Sequence, residues 1–236
     1  MSVLVFDIET IGDNFNSYDS LTRAILSQGI DPSCLTEEEY EVKMAEVRSK
    51  LGLSALTGQI VSIALQHLPS GRACVVFQAG AEKIDFTDDK GIRYRSMSEA
   101  EILKYFWECS VKCTEFVTFN GRCFDLPYMM IRSAVHQIRP SKNLMANRYL
   151  SLQPAGAKHV DLMDQLTFYG AIWKGYKLHL CCRAFGIPTP KSEGTDGGHV
   201  GEMFKEGRYQ AIAEYNMADV FATSSLYQYW NDYLRF

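Results

Sequence analysis

Val3-Leu-Val-Phe-Asp-Ile-Glu-Thr10 reads as the first strand of a sheet. Successive side chains alternate along an extended chain, so Val3, Val5, Asp7 and Glu9 share one face and Leu4, Phe6 and Ile8 share the other. Two acids therefore point the same way from an otherwise apolar strand, roughly 7 Å apart at about 3.3 Å of rise per residue. Burying either one unpaired costs several kcal/mol. A cation between them resolves the conflict.

Residues 208–230 carry the counterpart near the other end of the chain. Ala211, Tyr215, Asp219, Ala222 and Leu226 recur at spacings of four or three, which predicts a helix. Asp219 falls inside its apolar stripe with Tyr215 one turn earlier, so a phenol and a carboxylate face the core side by side. Asp125 belongs to Thr118-Phe-Asn-Gly-Arg-Cys-Phe-Asp-Leu-Pro127. There 115–119 reads as a short strand, Asn120-Gly121 as a turn, and Pro127 as the first turn of a helix running to about residue 137. Asp125 is then either the cap of that helix or a fourth acid at the strand's C-terminal end. With 28 Asp and Glu in the chain, each fragment alone is expected by chance; their order, each on a fitting element, carries the signal.

Phe6-Asp-Ile-Glu-Thr10, Asn120-Gly-Arg-Cys-Phe-Asp-Leu-Pro-Tyr128 and Tyr215-Asn-Met-Ala-Asp219 resemble the three exonuclease motifs of the DEDDy class. The chain is similar to the stand-alone predicted 3′-to-5′ exonucleases related to the proofreading domain of family B DNA polymerases. His159-Val-Asp161-Leu and Gly186-Ile-Pro-Thr-Pro-Lys191 look like that family's intervening motifs. Residues 13–58 depart from it, being longer than its usual link between the first two strands. The resemblance implies a catalytic set of Asp7, Glu9, Asp125, Tyr215 and Asp219 and two divalent ions, Mg²⁺ or Mn²⁺. Asp7 would bridge both ions, Glu9 and Asp219 would complete the site that activates the attacking water, and Asp125 would hold the second ion through water. Hard cations of this kind prefer oxygen ligands. Tyr215 stands where the sister DEDDh class has histidine. A tyrosine, with an ordinary pKa near 10, is a poor base at neutral pH, so its expected role is to orient water.

Substrate contacts are expected from Thr10 and Asn120, on the sugar or phosphate of the terminal nucleotide. Phe124 is a candidate for base stacking, with a core phenylalanine as the alternative, and Lys191 for a phosphate contact. His159 and Asp161 share a strand face, but the five histidines show no clustered ligand spacing, so a structural role is expected.

A chain of 236 residues, 47% hydrophobic, suffices for one well-buried α/β domain spanning 1–236. No stretch approaches 18 uninterrupted apolar residues, and the chain enters a strand directly instead of a basic, then apolar, leader. A soluble, cytoplasmic protein with no membrane partner is expected. Seven cysteines without a Cys-x-x-Cys pair point to reduced thiols, not zinc. The formal charge is −4, yet Arg122–Lys191 holds 10 Lys or Arg against 3 Asp or Glu. Such a basic middle suits a phosphate-bearing strand, unless the cations are simply scattered and solvated.

Between the first two strands, Thr36-Glu-Glu-Glu39 is a capping box, and Tyr40, Met44, Val47 and Leu51 form a helical stripe. A helical insertion at about 13–58 follows, its 31–50 helix a cover for the domain edge or a docking element for a protein partner. Residues 60–68 and 72–78 read as a hairpin around Pro69-Ser-Gly71. Ser98-Glu-Ala-Glu101 caps a helix to about residue 113, and further helices are expected over 162–169 and 177–185. The glycines of 191–198 predict a mobile loop. The order strand, strand, strand, helix, strand, helix is that of the ribonuclease-H-like fold, an α/β mixed sheet with helices on both faces. The leading expectation is a metal-dependent 3′-to-5′ exonuclease on single-stranded DNA ends, releasing nucleoside 5′-monophosphates. The alternatives are an RNA 3′-to-5′ exonuclease, an endonuclease on the same fold, and a non-catalytic nucleic-acid-binding subunit, which has no chemical need for the full acid set.

Overall fold

β1 (Val3–Gly12) runs inside a seven-stranded mixed sheet in the computed structural model, which describes residues 2–173, 175–188 and 199–235. On one side β1 pairs antiparallel with β2 (Gly58–His67), which pairs antiparallel with β3 (Arg72–Phe77). On the other it pairs parallel with β6 (Glu115–Thr118), followed by parallel β7 (Lys158–Asp161). Two further strands, β4 (Asp85–Thr87) and β5 (Arg93–Ser96), extend the β3 edge. The order is β4-β5-β3-β2-β1-β6-β7.

The alternation expected of β1 sets the two layers. Val3 and Val5 join a core with Val117, Val220, Leu226 and Trp230, the last three from α8 (Tyr209–Tyr233). Leu4, Phe6 and Ile8 join another with Ile102 and Phe106 of α3 (Glu99–Ser110) and Leu126 and Met129 of α4 (Asp125–Val135). Phe6 and Phe106 meet with ring centroids 4.8 Å apart. Each fully buried side chain of this size contributes roughly 1.5–3 kcal/mol of transfer free energy. Helices thus cover both faces, and Asp7 and Glu9 emerge on the α8 side.

The segment between β1 and β2 carries α1 (Ser20–Leu26) and α2 (Glu37–Lys50). The Thr36–Glu39 capping box is present, and Met44 and Leu51 are buried while Tyr40 and Val47 are half-buried, as the stripe requires. α2 ends on a 3₁₀ turn, Leu51–Leu53, laid against the end of β1. Glycine is required there: a Cβ on Gly12 would lie 2.6 Å from Leu51 Cβ, and one on Gly52 would lie 2.9 Å from Gly12 N.

Glu99, at the start of α3 and only 5% exposed, accepts from Ile60 N–H (2.8 Å), Arg132 Nε (2.8 Å) and Nη2 (2.6 Å), and contacts His136 Nε2 (2.7 Å). Arg132 Nη1 also donates to the Ala55 carbonyl at 3.3 Å. One buried carboxylate thereby ties β2, α3, α4 and the end of the insertion together.

Four short elements were not expected: β4, β5, α1, and α7 (Val200–Lys205). The helix expected over 162–169 is α5 (Leu162–Leu166), and that over 177–185 is α6 (Leu178–Ala184). α5 stops early because Phe168 (φ 50°) and Tyr169 (φ 57°) enter the left-handed region. There the Tyr169 hydroxyl accepts from Leu150 N–H at 3.1 Å and from Gln165 Nε2 at 2.9 Å, which holds the turn. The loop expected at 191–198 lies outside the described residues.

Candidate metal centre

β1 and α8 supply the acids. Asp7 and Glu9 project from consecutive same-face positions of β1 toward α8, where Asp219 sits one turn after Tyr215. One carboxylate oxygen from each of Asp7, Glu9 and Asp219 lies within 4.8 Å of the others, and Glu9 is 9% exposed. Two unit charges at about 5 Å repel by about 3 kcal/mol at an effective dielectric of about 20. Three ionised carboxylates held this closely call for a cation, and an all-oxygen set suits a hard divalent ion.

Asp125 approaches from α4. The expectation that it caps its own helix is corrected: it is the first helical residue, Phe124 occupies the cap, and the Asp125 side chain accepts from Ile8 N–H of β1 at 3.1 Å. The donor, Ile8, stands between Asp7 and Glu9 in β1, and the Asp125 charge is felt at Asp7. It does not belong to the group of three oxygens within 4.8 Å of one another.

In the absence of an ion, burial favours the protonated forms of Asp7 and Asp125. Burial, then the charges of Asp125, Glu9 and Asp219, drive Asp7 well above the usual carboxylate range, against a hydrogen bond from Asn216. Asp125 is pushed up to about 7, by burial first, with its backbone hydrogen bonds opposing and Asp161 adding. Tyr215 is raised by burial, then by the charges of Asp219 and Glu9 and by hydrogen bonding to Asp219, so it stays a phenol at neutral pH.

The raised acid pKa values fix the sign of a pH effect. A carboxylate that keeps its proton longer when folded than when unfolded costs stability as pH rises from about 4, the unfolded value, toward its folded value. For Asp125 the metal-free protein should therefore lose this contribution between about pH 4 and 7. A divalent ion displaces the same protons, so its stabilisation should grow as pH rises through that window. Thermal unfolding in Mn²⁺ and in EDTA from pH 5 to 8 checks this; equal Mn²⁺ shifts at both ends would contradict it.

The other candidates are placed as follows. The Thr10 hydroxyl donates to the Gly52 carbonyl at 2.7 Å, joining β1 to the insertion. Asn120 occupies the turn after β6 at φ 65°, a conformation asparagine tolerates, and its Oδ1 is buried with no hydrogen-bond partner among the described residues. Phe124 is half-buried, its ring 5.5 Å from that of Tyr128. Lys191 lies outside the described residues. Asp161 accepts from Asn120 N–H and Arg122 N–H, both at 2.9 Å, caps α5, and its charge reaches Asp125. His159 pairs through Nε2 with the Thr118 hydroxyl at 2.8 Å, and burial, then the Arg122 charge, depress its pKa to about 3, so it is neutral.

Sequence reasoning missed Asn216 and Ser62. Asn216 Nδ2 donates to Asp7 Oδ2 at 2.7 Å, and Ser62 Oγ donates to Asn216 Oδ1 at 2.8 Å. The only signal is an amide inside the Tyr215–Asp219 motif, pointing at the same core. The basic middle is also less available than its count suggests. Arg132 is held by Glu99, Arg122 by the Asn147 carbonyl, Arg148 by Asp164 and Lys142 by the Gly156 carbonyl.

A family described as predicted 3′-5′ exonucleases related to the exonuclease domain of PolB matches residues 59–233, nearly everything from β2 to the end of α8. The chain belongs to this family. The match contains Asp125, Tyr215 and Asp219 and begins after β1; Asp7 and Glu9 lie outside it and meet Asp219 through the fold. No functionally curated protein is significantly similar to the chain. Among solved structures it is similar to the family B DNA polymerase of the hyperthermophilic archaeon Pyrobaculum calidifontis, at 17% identity and a TM-score of 0.56 over 98% of this chain. The chain spans 24% of that polymerase's length. This likeness shows the fold: an α/β, ribonuclease-H-like mixed sheet with helices on both faces. No helix among the described residues is long and apolar enough to cross a membrane.

Proposed function

We propose that the protein is a 3′-to-5′ exonuclease that hydrolyses single-stranded DNA ends to nucleoside 5′-monophosphates, using two Mg²⁺ or Mn²⁺ ions. The convergence of the Asp7, Glu9 and Asp219 oxygens within 4.8 Å carries this reading. Divalent ions bound there supply charge neutralisation at the phosphate, activation of water and stabilisation of the leaving oxygen. Asp7, Glu9 and Asp219 would hold one ion between β1 and α8, and Asp125, braced by Ile8 N–H, would contribute to the second. Tyr215, kept protonated and donating to Asp219, would orient the attacking water through its hydroxyl oxygen. Thr10, Asn120, Phe124 and Lys191 are proposed substrate contacts. We read residues 1–236 as one exonuclease domain, with 13–58 an insertion that braces the end of β1, and we place it in the cytoplasm.

Removing one well-placed donor at a reacting centre typically costs about 10²-fold in rate. Tyr215→Phe should lower kcat by about that factor and leave the affinity for a single strand within about twofold. Equal losses in both would mean that the hydroxyl binds substrate instead.

Linear and circular single strands of DNA and RNA, incubated with Mn²⁺, test the reaction. Linear DNA should yield 5′-monophosphates and circles should survive. Cleaved circles would replace the exonuclease reading by an endonuclease, and faster loss of linear RNA would replace the DNA preference.

A further inference from the structure

The Asn216 carboxamide is wholly buried between the acids and β2, and both of its ends are engaged. The amide turns its Nδ2 to Asp7 Oδ2 and its Oδ1 toward β2, the orientation that suits a metal-bound Asp7, which only accepts. Ser62 meets that oxygen. It is itself wholly buried and stands opposite Glu9 across the β1–β2 ladder. The register slips immediately beyond that pair, with Thr10 opposite Ile60 and Val61 as the extra residue of β2. Asn216 follows Tyr215 in α8, so a rotation of about 100° carries its side chain from the Tyr215–Asp219 stripe toward β2.

We propose that Asn216 is a positioning residue for the metal centre and that Ser62 fixes Asn216, the pair holding Asp7 Oδ2 so that Oδ1 is presented to the ion. This rests on the metal-centre reading above. Asp7 is repelled by Glu9 and Asp219, and a carboxylate held only by its own torsion would swing away from them. A short donor on one oxygen opposes that swing, and the Ser62 hydroxyl keeps the donor in line.

Mn²⁺ binding measured by calorimetry without substrate, on the wild type, Asn216→Ala and Ser62→Ala, tests this alongside thermal unfolding of each. Outer residues that orient metal ligands typically account for 10–100-fold in affinity. The Mn²⁺ dissociation constant should rise by about that factor in Asn216→Ala, and by a smaller factor in the same direction in Ser62→Ala. Ser62→Ala, a change of one atom, decides the matter if Asn216→Ala fails to fold. Variants that unfold earlier yet bind Mn²⁺ as tightly as the wild type would overturn the positioning role and leave a purely structural one. A wild type that binds no Mn²⁺ would overturn the metal centre itself, a separate outcome.

Discussion

Asp219→Ala should abolish Mn²⁺ binding in calorimetry and lower exonuclease turnover by about 10³-fold or more. The magnitude follows from the chemistry assigned to the site: a divalent ion contributes several kcal/mol of charge stabilisation at the reacting phosphate, and each 1.36 kcal/mol is a factor of ten in rate. Asp219 is the acid that α8 brings to the group of three, so without it Asp7 and Glu9 on β1 lose their partner from α8. The variant should fold, because Asp219 lies among like charges, and burial, not Asp219, is the main cause of the raised Asp7 pKa. Relief of the repulsion and loss of the Tyr215 hydrogen bond oppose each other, so its metal-free melting temperature should stay close to that of the wild type. Unchanged turnover in a folded Asp219→Ala protein would remove α8 from the metal centre.

The second large effect concerns stability. Glu99→Ala should lower stability by about 3–5 kcal/mol, because it strands Arg132 and the Ile60 N–H without their acceptor in the interior. At about 2–4 °C per kcal/mol for a chain of this size, the melting temperature should fall by about 10 °C. The exposed Lys50–Glu46 pair gives the contrast: Glu46→Ala should leave the melting temperature nearly unchanged. Glu99 also predicts acid lability. Burial alone would raise its pKa, but hydrogen bonds from Arg132, His136 and Ile60 N–H outweigh it and the net shift is downward. Its contribution is thus present above the unfolded value, about 4.3, and is lost as pH falls through the folded one. Because α4 begins with Asp125 and is held by Arg132, Glu99→Ala should loosen that acid before the protein unfolds. Equal melting temperatures for Glu99→Ala and Glu46→Ala would contradict this account of the interior.

What the sequence made legible, and what it hid, divides by how far apart the partners lie. β1 is legible because its alternation is local, and its two faces enter two different cores. α2 and α3 announce themselves through capping boxes three residues wide, and α8 through an apolar stripe. β4 and β5 are not legible: they are three and four residues long, with Asp85, Arg93 and Arg95 exposed on them, as suits a protected sheet edge. The early end of α5 depends on Tyr169 meeting Leu150 in another segment. In the site, Tyr215 and Asp219 are one helical turn apart and could be read together. Ser62 lies 154 residues from Asn216, and Asp125 lies 117 from Ile8, so no local pattern could announce either bond. Ionic contacts are hidden for the same reason: nothing near Arg132 in the chain shows that Glu99 holds it.

The most direct test of the central claim follows a 5′-labelled single-stranded DNA oligonucleotide over time with the wild-type protein in Mn²⁺, and in parallel with EDTA. The account predicts a ladder of labelled products that shorten progressively from the 3′ end in Mn²⁺ and no reaction in EDTA. Immediate release of the label as a mononucleotide, or the same ladder in EDTA, would contradict it.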